Sequence, residues 1–147
     1  MKQFGILTNL EVQQGLIITQ GLNKLVDNNA YIDPVVFYKD YQPQLIRPMF
    51  CLMQDVEAWN FPHTLIATNI DTLTRLSKCN IPTKKLFYVF NLEWLYLKEQ
   101  NYDSLRDIYN VDLIVRSRDH FDIVEKCWKR PLGIVQDTSF ETIVNYI

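Results

Sequence analysis

Short apolar runs alternate with stretches of helical periodicity along most of the chain, and several of those runs are apolar at every position. Successive side chains of a strand point to opposite faces, so a strand with one wet face alternates polar and apolar residues. A continuously apolar strand must be covered on both faces, the usual condition of a parallel sheet between two helical layers. Met49-Phe50-Cys51-Leu52-Met53 and Lys85-Leu86-Phe87-Tyr88-Val89-Phe90 are such runs, and their composition suits central strands. The expected fold is therefore α/β, a single Rossmann-like domain over residues 1–147. It has a mainly parallel sheet of six or seven strands with helices on both faces.

The remaining elements follow the same rhythm. Phe4–Asn9 reads as a first strand and Glu11–Asn28 as a helix, with Leu16, Ile17, Leu22, Leu25 and Val26 at helical spacing. Pro34–Tyr38 is β-branched and aromatic, and Thr64–Asn69 is another strand. Asp71 is an expected N-cap for a helix through Lys78. Glu93–Tyr109 has helical character, Val111–Arg116 is a strand, and Ser117 is the expected cap of a helix through Lys129. Pro131–Val135 is the last strand, and Ser139 is expected to cap a short terminal helix.

Right-handed crossovers bring the C-terminal ends of parallel strands to one edge, where ligands of open α/β sheets bind. Polar side chains gather at those ends. Asn9, Asn69, Asn91, Arg116, Ser117 and Asp137, with Trp94 beside them, form the candidate ligand-binding set. Asp55 and Glu93 lie just past strand ends, where a carboxylate whose pKa burial raised could take a proton from a hydroxyl. The competing assignment makes Glu93 a first-turn anion of the helix that follows. Trp59 and Trp94 could stack on a sugar ring, and core packing is the alternative use for them.

Other chemistries find little support. The net charge of −2, with basic and acidic residues mixed along the chain, gives no global argument for a nucleic-acid partner. Arg116–Arg130 carries five basic against three acidic residues, the ratio of a solvated helix face. No run has the length of a membrane span, and the start has no signal-peptide layout, so a cytoplasmic location is expected. Cys51, Cys79 and Cys127 are far apart, and His63 and His120 are isolated, which gives neither disulfide nor metal spacing. There is no GxGxxG after the first strand, no GxxxxGK[ST] and no GxSxG, which argues against dinucleotide, P-loop and α/β-hydrolase sites. No cofactor is expected. An aromatic share of 13% leaves rings available to a core or to a binding surface.

The order of segments from Thr64 onward resembles the second half of the N-terminal domain of a GT-B glycosyltransferase. The resemblance rests on Leu65–Asp71, Lys85–Leu95, Val111–Ser117 and Gly133–Phe140. It is also similar, around Phe90-Asn91-Leu92-Glu93-Trp94-Leu95, to short glycosyltransferase-like proteins of large tailed bacteriophages. In that family an Asn-Gly-Val-Asp-type turn leads toward the donor domain, and Gln136-Asp137-Thr138-Ser139 stands here instead. The resemblance implies an acceptor-side half of a sugar-transferring enzyme, with Glu93 or Asp55 as base and a sugar or nucleotide sugar as ligand. The partner it implies is a homodimer mate or a second chain carrying a donor-binding domain. A non-catalytic module that binds a nucleotide, a sugar or a protein is the alternative. A receiver or flavodoxin type fits less well, because Thr8-Asn9 stands where receivers place acidic residues and the late-strand Lys is missing.

Overall fold

The computed structural model describes residues 1–9, 11–41, 43–92 and 110–147. Seven strands form one all-parallel sheet in the order β3-β2-β1-β4-β5-β6-β7. They are β1 (Lys2–Thr8), β2 (Ile32–Tyr38), β3 (Cys51–Gln54), β4 (Thr64–Ala67), β5 (Lys85–Val89), β6 (Asp112–Val115) and β7 (Gly133–Ile134). The α/β expectation holds. The helix expected over Glu93–Tyr109 lies outside the described residues.

Helices cover both faces because their apolar residues recur one turn apart. On one face α1 (Val12–Asn28) buries Ile18, Leu22 and Leu25 against Phe4, Ile6, Val36 and Tyr88. On the other, α2 (Ile70–Lys78) and α3 (Arg118–Cys127) bury Leu73, Leu76, Phe121 and Val124 against Leu65, Phe87, Leu113 and Val115. Each fully buried Leu or Phe contributes about 1.5–3 kcal/mol before entropy is subtracted. A 3-10 segment, Asp137–Tyr146, lies against α1 with Phe140 and Ile143 buried. Gly21 permits that approach, since a Cβ there would meet Phe140 Cβ at 2.5 Å.

Three local expectations change. The cap of α2 is Asn69, whose side chain accepts from the Thr72 N–H at 2.8 Å, while Asp71 sits in the first turn. The extended backbone of Asn69 leaves its carboxamide oxygen facing the open amides, which a residue already inside the helix cannot do. Ser139 lies within the terminal 3-10 segment with non-helical φ/ψ, and Gln136 precedes the segment without a side-chain cap. Met49–Met53 was expected to be central. The strand there is Cys51–Gln54, at the sheet edge, with Met49 57% exposed. An apolar run signals that cover is needed, but strand order decides whether the same chain supplies it. By contrast, Lys85–Val89 lies between β4 and β6, buried as its composition requires.

Candidate functional site at the strand ends

The order of strands reverses between β1 and β4, and open parallel sheets usually receive ligands at that switch point. Here the chain's own side chains fill it. Thr8 Oγ1 donates to Gln14 Oε1 at 3.1 Å, and Gln14 Nε2 donates to the Thr68 carbonyl at 3.4 Å. Thr68 Oγ1 in turn donates to the Leu7 carbonyl at 2.7 Å. Thr8, Gln14, Thr68 and Thr72 are all buried. A side-chain amide thus sits near the start of α1, where a dinucleotide fold would keep glycines to admit a pyrophosphate.

Beside this plug lies an arginine-centred network. Arg75 of α2 reaches Asp55 at the end of β3, Asn9 past β1 (3.2 Å) and Asp71 one turn earlier (2.7 Å). The structure therefore brings together Asn9 and Asp55, two predicted site residues, around a cation that the sequence reading did not include. Asp55 Oδ2 is occupied by that guanidinium. A cavity of about 270 Å³ opens next to it, lined by Asn9, Lys39, Asp40 and Asp71.

The larger concavity, about 430 Å³, lies where β6 and β7 end and α3 begins. Arg116, Ser117, His120, Gln136, Asp137 and Thr138 line it. Three of these, Arg116, Ser117 and Asp137, are predicted ligand-binding residues, and topology explains their meeting. β6 and β7 are parallel neighbours, so the residues that follow each strand emerge side by side. Arg116 is gripped on three sides. Its Nε donates to Asp137 Oδ1 at 3.0 Å, and Nη2 donates to Oδ2 of the same carboxylate. Its Nη1 donates to the Phe90 carbonyl at 3.1 Å, with Cζ 4.0 Å from the Phe90 ring centroid. The Asp137 hydrogen bond strengthens the hold of Arg116 on its proton.

Ser117 caps α3, accepting from the His120 N–H at 3.2 Å. His120 is half-buried in the cavity wall, and its Nδ1 is buried without a hydrogen-bond partner. Burial first, and then the Arg116 charge, push its pKa below the ordinary 6.5, although the Val89 carbonyl near the ring opposes this. Burial and the Arg116 charge both favour the neutral imidazole. The sequence reading set His120 aside as isolated. The available signal was its place three residues after a capping serine, which turns it back toward the strand ends. Gln136 and Thr138 join the wall through their neighbour Asp137.

The other described residues of the predicted set lie elsewhere on this edge. Asn69 caps α2, and Asn91 is exposed after β5. Glu93 and Trp94 lie outside the described residues. Trp59 is 45% exposed near the β3 edge. Among the described residues no group of His, Cys, Asp or Glu could hold a metal ion, and no helix is long and apolar enough to cross a membrane. Compared with protein-family models, curated proteins and solved structures, the chain has no significant match. What the fold and site define is a class, a Rossmann-like α/β domain with a polar cavity at its strand-end edge.

Proposed function

We propose that the chain is a glycosyltransferase-like protein, the acceptor-side half of a sugar-transferring enzyme, which binds a neutral polyhydroxylated ligand in the β6–β7 cavity. The observation that carries this reading is the pairing of Arg116 with Asp137 in the cavity wall. The pairing offsets the arginine that lines the cavity among the described residues, which disfavours a diphosphate. Ser117, Gln136, Thr138 and His120 present the mixed donors and acceptors that sugar hydroxyls need. The donor nucleotide then requires another chain, and the cytoplasm is where nucleotide sugars would meet it. Glu93, placed by sequence just past β5, is the base we assign to the assembled enzyme.

A second reading, a non-catalytic sugar-binding module, is favoured by one observation. Asp137 is engaged by Arg116 through both carboxylate oxygens and Asp55 by Arg75 through Oδ2, so both already serve as ion-pair partners within the fold.

Calorimetric titration separates these possibilities. Neutral mono- and disaccharides should bind, and nucleoside diphosphates should not. Arg116→Ala should weaken sugar binding at least about tenfold, because Asp137 is then an unpaired charge in the wall. Preferential binding of a nucleoside diphosphate would sink the proposal. The chain alone should not turn over a nucleotide sugar. Turnover that Glu93→Gln abolishes would instead make it a complete enzyme.

A further inference from the structure

We propose that β3 is the interface for a second copy of this chain, joined antiparallel across a two-fold axis so that the two sheets become one. This inference is independent of the function proposed above. It starts from a mismatch between composition and position. Met49–Met53 has the composition of a strand covered on every side, yet β3 occupies the sheet edge. Edges that must stay single usually carry Lys, Pro or inward-pointing charge. Cys51-Leu52-Met53-Gln54 carries none of these. Large apolar side chains flank it at high exposure, Leu45 at 77%, Met49 at 57%, Val56 at 58% and Trp59 at 45%. The opposite edge, β7, has only two residues and offers much less to pair with.

The occupant follows from symmetry and charge. A two-fold axis perpendicular to the sheet keeps faces matched, so a residue at the axis lies opposite its own copy. Centring on Leu52 places Cys51 opposite the second copy's Met53, and Phe50 opposite its Gln54. On the α1 face the Leu52 side chains meet, each already packed against that core. The same relation sends the Arg47 end of each copy toward the Glu57 end of the other. Both residues are exposed, and neither has an ion pair among the described residues. The surface is thus complementary to itself, apolar at the centre and opposite in charge at the two ends, as an isologous dimer requires. A parallel partner would set like charges together instead.

Sedimentation velocity of the full chain over a micromolar concentration series should show a monomer–dimer equilibrium. Arg47→Glu and Glu57→Arg should each weaken the dimer roughly tenfold, since every change acts twice. The double variant should restore it. Both positions are on the surface, so circular dichroism should be unchanged. In a Cys51→Ser, Cys127→Ser background, Leu52→Cys should form a covalent dimer on mild oxidation, because opposed residues of an antiparallel pair lie within disulfide reach. Cys51 alone should not, being two positions out of register with its own copy. A monomer at every concentration would overturn the proposal. So would a dimer indifferent to both charge reversals and not trapped by Leu52→Cys, which would place the interface elsewhere.

Discussion

The switch point between β1 and β4 and the end of the β6–β7 pair both lie on the strand-end edge, but they solve opposite problems. At the switch point, the buried Thr8, Gln14, Thr68 and Thr72 satisfy one another or the backbone. At the β6–β7 end, Arg116 and Asp137 are fixed by each other, while Ser117, His120, Gln136 and Thr138 line open space. The first region turns its polar groups inward on one another, and the second leaves several of them lining a cavity. Topology alone ranks the switch point first. The contrast shows that a crevice can be filled by its own side chains when the glycines that would keep it open are absent.

The largest expected effect lies in the plug. Gln14→Ala removes the hydrogen bonds to Thr8 and to the Thr68 carbonyl and leaves a small cavity, so it should cost about 2–3 kcal/mol in urea denaturation. Sugar binding at the β6–β7 cavity should be unchanged. If binding fell with stability, the two regions would be one site and the contrast would fail.

A smaller effect is expected on the open side. Ser117→Ala removes the cap of α3 and should cost about 1 kcal/mol. It also takes a hydroxyl from the cavity wall, so affinity for sugar should fall as well. Ser117→Asp, which preserves the cap, should recover stability. A stability loss with unaltered affinity would reduce Ser117 to a structural role.

The smallest effect concerns pH. The folded state holds the His120 pKa below 6.5, so the unfolded chain binds the proton more readily. Stability linked to this group is present above pH 6.5 and is lost as pH falls through the folded value. His120→Gln should flatten that slope in thermal melts between neutral pH and pH 5. An unchanged slope would mean that acid sensitivity arises elsewhere.

The parallel sheet was legible because Leu65–Ala67, Leu86–Phe90 and Leu113–Val115 are apolar on both faces, a demand that few folds meet. Asn9 and Asp55 could be assigned to the strand-end edge from their position after strands. That Arg75 would hold both could not, because it approaches from 66 and 20 residues away. Arg116, Ser117 and Asp137 were read as separate polar strand ends, and β6–β7 pairing made them one wall. His120 was missed because only the fold brings it to the same cavity wall.

What the sequence determined by itself was local. It set the alternation of strand and helix, the faces that must be buried, and the side-chain types following each strand, since these depend on near neighbours and on the contrast between apolar and polar groups. Tertiary structure alone decided which strand became an edge, which crevice was filled and which polar residues shared a cavity. Those outcomes depend on strand order and on contacts between residues far apart in the chain, and no local pattern encodes either.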